Sequence, residues 1–246
     1  MNLKNLTRKF ADSLGYLIVH KSTIGINLEN DLGRLTADDP ILTVFDVGGN
    51  FGQSAVRFAH AFPDADVYTF EPVPHLFSAL CVNTSKFRKI KGFNLGFGDK
   101  RETAMIGLAL NPGANSLHIA KDSANTCKIE LDTLDAFVQE NNVARIDLLK
   151  IDVEGHEIPV IHGALASLEG KHIRYIYVEC VFSPDPDEPH TSFHEIHEIL
   201  DSLGFSFITC YTESFKLGSG CSMVNALFGA RGQLPEKTSG KFHNMV

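Results

Sequence analysis

The sequence lacks long apolar runs and is short of basic side chains. No stretch approaches the roughly 18 uninterrupted apolar residues that a membrane-spanning helix requires, so we expect no transmembrane segment. Lysine and arginine number 22 against 30 aspartates and glutamates, which gives the 246 residues a formal net charge of −8. Because proteins neutralise nucleic-acid phosphates with Lys and Arg, we do not expect nucleic acid as the main partner.

Cysteine is also scarce, and its placement does not indicate disulfide bonds. The five cysteines are widely spaced, their number is odd, and none forms a C-x-x-C pair. Cys180 lies in the apolar run YIYVEC, where a thiol behaves as a small hydrophobic group. The N-terminus has neither an apolar segment of signal-peptide length nor a small-residue cleavage site. These features predict a cytoplasmic protein in a reducing compartment.

What is present is the composition of an ordinary globular domain. Hydrophobic residues make up 43% of the chain and charged residues 21%. That balance excludes disordered, collagen-like and coiled-coil proteins, and the length suits one α/β domain. We expect a helical extension over residues 1–40, the main domain over 41–231 and a polar tail over 232–246. The oligomeric state is not encoded in any pattern that we recognise.

Apolar residues recur at helical spacing near the N-terminus. They occupy positions 3, 6, 10, 14 and 18, which predicts an amphipathic helix over residues 3–19. Three basic residues lie between them, and this is thin support for a membrane-surface helix. We therefore expect the helix to pack on the edge of the domain.

From residue 41 onward, strand patterns alternate with helix patterns. Strands are predicted over 41–47, 65–70, 88–99, 145–153, 173–180, 205–211 and 222–230. Strands that are apolar on both faces and separated by helices predict a mostly parallel sheet covered on both sides. The last two strands follow one another directly and predict an antiparallel edge hairpin. Residues 103–131 contain two β-like pieces and indicate a hairpin-like insertion.

The sharpest local signal is a glycine-rich turn after the first strand, with the sequence Asp46-Val47-Gly48-Gly49-Asn50-Phe51-Gly52. The carboxyl ends of central strands form the ligand crevice of a doubly wound sheet, and glycines let the backbone approach a ligand closely. The dinucleotide pattern G-x-G-x-x-G fails here, and the P-loop pattern is absent. The turn lacks both pyrophosphate-binding patterns and has a carboxylate beside it. Such a turn suits a positively charged nucleoside such as S-adenosylmethionine. Glu71, at the end of the second strand, is placed to accept hydrogen bonds from ribose hydroxyls.

Three motifs together resemble the FkbM-type S-adenosylmethionine-dependent methyltransferases. They are D-x-G-x-N-x-G at 46–52, FEP at 70–72 and LKIDVEGHEIPVIHGA at 149–164, and the resemblance covers roughly residues 40–230. It implies a class I methyltransferase (Rossmann-like) fold with seven strands, and O-methylation of a small-molecule or glycan acceptor such as a sugar, glycolipid or polyketide-like metabolite. The alternatives are an N-methyltransferase of the same fold and a non-catalytic domain that keeps the fold for binding. By family position the methionine side of the cofactor would be lined by Asp46, Gly48, Asn50 and Gly52. Glu71 would then hold the ribose, and Asp99 would sit near the adenine.

An acidic motif follows the fourth predicted strand of the parallel series. Methyl transfer to a hydroxyl requires alignment of oxygen, carbon and sulfur, and a base that takes the hydroxyl proton. Candidates for the base or for orienting the acceptor are Asp152, Glu154, His156 and Glu179. A hard cation such as Mg²⁺ would need oxygen ligands converging from several loops. The sequence does not show that convergence, so no metal ligands are assigned. A purely structural role stays open as an alternative for two further residues, with Glu157 favouring the helix dipole and Lys150 pairing with a neighbouring acid.

A second group of polar residues surrounds the last helix. His194, His197 and Glu198 share one helical face, and His190 precedes them. Their spacing is not the H-E-x-x-H of a zinc site, so we expect a solvated surface in preference to a metal site. The acidic, Pro-rich loop over 183–190 follows the fifth strand and is a reasonable element of acceptor specificity. Asn115 and Ser116 in the insertion are candidates for the same role.

Overall fold

A computed structural model describes residues 3–16, 23–108, 125–183, 190–215 and 222–235. The helices are α1 (Leu3–Ser13), α2 (Leu28–Leu35), α3 (Gln53–Ala61), α4 (Pro74–Thr84), α5 (Leu134–Glu140), α6 (Glu157–His162), α7 (Leu165–Glu169) and α8 (Phe193–Ser202). The strands are β1 (Thr43–Val47), β2 (Asp66–Phe70), β3 (Ile90–Phe93), β4 (Gly96–Phe97), β5 (Glu102–Gly107), β6 (Thr126–Asp132), β7 (Ile146–Ile151), β8 (Ile173–Val181), β9 (Phe205–Phe215) and β10 (Ser222–Ala230).

Seven strands form the central sheet in the order β3-β2-β1-β7-β8-β10-β9. Pairing is parallel from β3 through β8, and β10 runs antiparallel to both β8 and β9. The predicted α/β class, mostly parallel sheet and antiparallel edge hairpin are therefore confirmed. Because the strand order reverses between β1 and β7, a crevice opens at the carboxyl ends of these parallel strands.

Both faces of the sheet are covered. One core contains Phe45, Phe70 and Phe137, with helices of the second half of the chain packed on it. The opposite core contains Leu32 of α2 and Phe58 of α3. Strands β7 and β8 are buried at every residue, which is the pattern that the apolar runs in the sequence predicted.

The segment predicted as one strand over residues 88–99 forms two strands in two different sheets. Between β3 and β4, the side-chain amide of Asn94 donates to the backbone carbonyls of Glu71 and Pro72, at 2.9 Å each. Strand β4 then pairs with β6, and β6 pairs antiparallel with β5, giving a three-stranded sheet. The predicted hairpin within 103–131 is thus confirmed for β5 and β6, while residues 109–124 lie outside the described part of the chain.

The helical segment over residues 157–169 is interrupted at Gly163, between α6 and α7. A Cβ atom added at Gly163 would lie 2.0 Å from the carbonyl oxygen of Gly98. The backbone just after β4 therefore approaches Gly163 so closely that only glycine fits at this position. This contact explains why glycine precedes alanine at positions 163–164, the end of the third sequence motif.

The N-terminal helix departs from its expected packing. Helix α1 forms as predicted, but Leu6 is 48% exposed and Phe10 is 66% exposed. Its apolar face is thus not covered by the described part of the chain. The predicted domain divisions at residues 40 and 231 stay predictions. Within the described residues, no helix combines the length and the apolarity needed to cross a membrane.

Candidate active site

A cavity of about 480 Å³ opens where β1, β2, β7 and β8 end. This volume lies in the range typical of small-molecule sites. Of the residues proposed from sequence, its wall includes Gly48, Asn50, Glu71, Asp152, Glu154, His156 and Glu179. The cofactor candidates and the acceptor candidates therefore face one space, although they come from four different strands.

The turn after β1 is pressed against the end of β7. Gly48 has a φ of +83°, and a Cβ atom added there would lie 1.8 Å from the carbonyl oxygen of Asp152. The backbone N–H groups of Gly48 and Gly49 both donate to the carbonyl of Phe70 at the end of β2, at 3.1 and 2.8 Å. Glycine is required here both by the left-handed backbone and by the close approach.

Asp46 lies behind this wall and does not line the cavity as the resemblance implied. Its side chain is completely buried and accepts hydrogen bonds from the hydroxyls of Ser54, at 2.8 Å, and Thr69, at 2.9 Å. Its third partner is Lys150, whose Nζ lies 3.2 Å from Asp46 Oδ1. Because every face of the carboxylate is used internally, Asp46 positions the turn and the lysine.

Lys150 pairs with two acids, which is the structural alternative that the sequence left open. Nζ also lies 3.1 Å from Asp152 Oδ2 and donates to the carbonyl of Gly48 at 3.1 Å. Burial by itself would lower the pKa of Lys150, but the charges of Asp152 and Asp46 outweigh that effect and hold the pKa above its ordinary value. The lysine is therefore a fixed positive charge joining β1, β7 and the glycine turn.

Glu71 is held in a buried, preset orientation. Its Oε2 accepts from the backbone N–H of Asn50 and its Oε1 from that of Val73, both at 2.9 Å. Burial nevertheless raises the pKa of Glu71 to about 7. Asn50 itself has a φ of +47°, and its buried Oδ1 has no hydrogen-bond partner among the described residues. The cavity wall thus contains an unsatisfied acceptor next to a fixed carboxylate.

The turn after β7 presents Glu154 in a strained conformation. Its φ is +54°, which a residue with a Cβ atom rarely adopts. Burial, together with the charges of Asp152 and Glu157, raises the pKa of Glu154 to about 7. His156 follows at the start of α6 and also lines the cavity.

Glu157 has a larger structural role than the helix-dipole interaction expected from sequence. Only 1% of it is exposed, and its Oε1 accepts from the backbone N–H groups of Val153 and Gly155, at 3.1 and 3.2 Å. Its Oε2 accepts from the hydroxyl of Thr191. Burial raises the pKa of Glu157, and the Thr191 hydrogen bond opposes that rise in part. Glu157 thereby ties the turn that carries Glu154 to the segment just before α8.

His190 joins the acidic residues and does not belong with the histidines of α8. Ligand-type atoms of Glu154, Glu179 and His190 all lie within 4.8 Å of one another. His194, by contrast, is exposed on α8, as the solvated-face interpretation expected. The sequence reasoning missed the role of His190 because the contact joins residues 36 positions apart, and no local pattern signals it.

The remaining predicted site residues lie elsewhere. Gly52 is the N-cap residue of α3, has a φ of +86° and is not part of the cavity wall. Asp99 is exposed just after β4 and is not part of the cavity wall, so the structure gives no support to its predicted place near the adenine. Asn115 and Ser116 lie outside the described residues, as does most of the loop over 183–190. Of the five cysteines, the four that are described are free thiols.

The sheet order and the cavity define a Rossmann-like α/β protein with a ligand site at the carboxyl ends of its central strands. Residues 46–207 match the model of the Methyltransferase FkbM domain. Because this match spans well over half of the sequence, the chain belongs to the FkbM methyltransferase family. The family expected from the three motifs is thus confirmed, and with it S-adenosylmethionine as the methyl donor.

Several curated proteins are similar to this chain at low identity. "Methyltransferase 1" of Beauveria bassiana is 28% identical over 66% of this chain and 72% of its own length. The hexuronic acid methyltransferase AglP of Haloferax volcanii is 28% identical over 65% of each chain. The 2-O-methyltransferase NoeI of Sinorhizobium fredii is 25% identical over 73% of this chain and 77% of its own.

Among solved structures, the M. capricolum TrmK complex with S-adenosyl-homocysteine aligns over 86% of this chain and 70% of that one. The TM-score is 0.48 and the identity 10%. The fold assignment therefore depends on the sheet order of this chain and on the family match.

Proposed function

We propose that this protein transfers the methyl group of S-adenosylmethionine to a hydroxyl oxygen of a sugar, glycan, glycolipid or polyketide-like metabolite. The observation that carries the proposal is that both groups of candidate residues line one cavity. One part of its wall holds Asn50 and Glu71, and another holds Glu154, His156 and Glu179. A site for a charged nucleoside thus adjoins a group of potential bases.

The residues of the first part fit the cofactor. Glu71 is oriented by two backbone N–H groups, and each of its oxygens keeps a lone pair that accepts from a ribose hydroxyl. The unsatisfied Oδ1 of Asn50 suits the ammonium of the methionine moiety, with Gly48 leaving room at the backbone. When bound, S-adenosylmethionine supplies a methyl group on a sulfonium, which leaves as a neutral thioether. Asp46 and Gly52 contribute by shaping the turn.

The second part of the cavity suits the acceptor. Alignment of the hydroxyl with the methyl group supplies roughly 7–11 kcal/mol, and removal of its proton adds about 10²–10⁴-fold. Asp152 is the weakest of the four base candidates, because its carboxylate is paired with the fixed charge of Lys150. Glu154, His156 and Glu179 remain as residues that accept the proton or orient the acceptor.

The names of two relatives support an oxygen acceptor on a sugar. One acts on a hexuronic acid and the other is a 2-O-methyltransferase. At 25–28% identity these names indicate a substrate class and no more. The cytoplasmic location expected from the sequence stays a prediction.

The test is methyl transfer from radiolabelled S-adenosylmethionine to p-nitrophenyl glucuronide, glucoside and glucosaminide, with products located by mass spectrometry. We expect a methyl ether on a hydroxyl of at least one glycoside. Methylation confined to the amine of the glucosaminide would indicate an N-methyltransferase instead. A third outcome is that the protein binds S-adenosylmethionine and yet methylates neither these glycosides nor a wider panel of hydroxylated metabolites. That result would favour a non-catalytic binding domain.

A further inference from the structure

We propose that Glu154, Glu179 and His190 form a binding site for a divalent cation of the Mg²⁺ or Mn²⁺ type. Two carboxylates and one imidazole place ligand atoms within 4.8 Å of one another, which is close enough for one ion to bind all three. The ligands come from the turn after β7, from β8 and from the segment before α8. The convergence that the sequence could not show is therefore present in the fold.

Two residues that are not proposed ligands, Glu157 and Thr191, hold the segments that carry the ligands in place. Glu157 fixes the turn on both sides of Glu154 through the N–H groups of Val153 and Gly155. The same carboxylate accepts from the hydroxyl of Thr191, the neighbour of His190. Thr191 is also tied to the end of β8, since its carbonyl accepts from the N–H of Val181 at 3.0 Å. Preset ligands of this kind are typical of metal sites with a supporting shell.

A buried amide next to the cluster points independently to a ligand. Asn225 on β10 lies directly opposite Glu179 on β8 in the antiparallel register. Directly opposed side chains share one face of a sheet, so the Asn225 amide lies beside the Glu179 carboxylate. Asn225 is 2% exposed, and its Oδ1 has no hydrogen-bond partner among the described residues. A cation, or water bound to it, would satisfy this oxygen.

The charge balance of the cavity wall also favours a cation. Glu71, Asp152, Glu154 and Glu179 line it, against Lys150 and Arg57. Lys150 is shared between Asp46 and Asp152, and Arg57 is paired with Glu29 at 3.0 Å. Carboxylate and amide oxygens are the donors that hard divalent cations prefer, and an imidazole is compatible with Mn²⁺.

The catalytic role of the ion rests on the proposed function, whereas binding of the ion does not. A bound cation would hold the acceptor hydroxyl and lower its pKa. The hydroxyl oxygen then forms the bond to the methyl carbon as the carbon–sulfur bond breaks. The hydroxyl proton passes to His156, which lines the cavity outside the ligand set.

The test is titration of Mn²⁺ alone into the full chain, followed by electron paramagnetic resonance and calorimetry. We expect a single bound Mn²⁺ per chain, displaced by Mg²⁺. Glu179→Gln and His190→Asn should each weaken Mn²⁺ binding by about tenfold or more. The matched controls Glu198→Gln and His194→Asn, on α8, should leave it unchanged. S-adenosyl-homocysteine affinity should be similar in all five proteins, which shows that each variant folds.

The Mn²⁺ titration tests the metal site, and the methyl-transfer assay tests the proposed function separately. No Mn²⁺ binding by the wild type, or equal binding by Glu179→Gln and His190→Asn, would overturn the metal site even if methyl transfer proceeds. Mn²⁺ binding that requires Glu179 and His190 would support the site even if no acceptor is methylated.

Discussion

The ammonium of Lys150 lies 3.2 Å from a carboxylate oxygen of Asp46, and both side chains are almost completely buried. This pair joins β1 to β7, where the order of the strands in the sheet reverses. Because Lys150 also binds the carbonyl of Gly48, the pair fixes the turn that we assign to the cofactor. The geometry of the glycine turn thus depends on a buried charge pair, although Asp46 itself does not line the cavity.

Lys150→Met should destabilise the protein by about 3–5 kcal/mol, because it leaves Asp46 buried without its counter-charge. Asp46→Asn in the same background should recover part of that loss, since the amide needs no cation. Urea unfolding of the single and double variants measures this coupling. Additive losses in the double variant would show that the pair contributes no interaction energy.

Glu71→Gln should weaken S-adenosyl-homocysteine binding by about 10–100-fold. The carboxylate would accept two ribose hydroxyls, and the glutamine amide keeps one acceptor oxygen. One hydrogen bond to a charged group is therefore lost, roughly 1.5–3 kcal/mol. Calorimetric titration gives the affinity, with Glu169→Gln on the exposed end of α7 as the control. An unchanged affinity in Glu71→Gln would remove this residue from the cofactor site.

Glu71 should also make the ligand-free protein less stable as the pH rises. Its pKa is 4.5 in the reference state and about 7 in the folded protein. The folded state therefore holds a proton that the unfolded state has released, so this group's stabilisation is complete below pH 4.5 and lost as the pH rises through about 7. Between about pH 5 and about pH 8, the wild type should lose about 2–3 kcal/mol more than Glu71→Gln. Parallel stability curves from denaturant unfolding would contradict the raised pKa.

Gly163→Ala should cost about 1–3 kcal/mol of stability, because the new methyl group meets the carbonyl oxygen of Gly98. Gly33→Ala is the matched control, since Gly33 lies within α2 and an added Cβ atom there has no neighbour within 4 Å. That control should gain about 0.4–1 kcal/mol. Thermal unfolding of the two variants compares them directly, and equal effects would show that the approach at Gly163 is not tight.

Much of the fold could be predicted from sequence because its signals are local. The buried strands β7 and β8 are continuous apolar runs, and α8 begins at a local cap in which the side chain of Ser192 accepts from the N–H of His194. The break between β3 and β4 could not be predicted, since it depends on Asn94 binding carbonyls more than 20 residues away.

The candidate site was predictable to the extent that its residues end strands. Glu71, Asp152 and Glu179 meet because parallel strands place their carboxyl ends at one edge. The burial of Asp46 and the partnership of Glu157 with Thr191 are long-range contacts without a sequence pattern. The same holds for His190, which the sequence associated with the wrong group of histidines.

Calorimetric titration of the wild-type protein shows whether the cavity binds S-adenosylmethionine. The ligands are S-adenosylmethionine, S-adenosyl-homocysteine and, as the control, NAD. We predict that both sulfur nucleosides bind in the micromolar range, about −8 kcal/mol, and that NAD does not bind. Binding of NAD, or no binding of either sulfur nucleoside, would contradict the account.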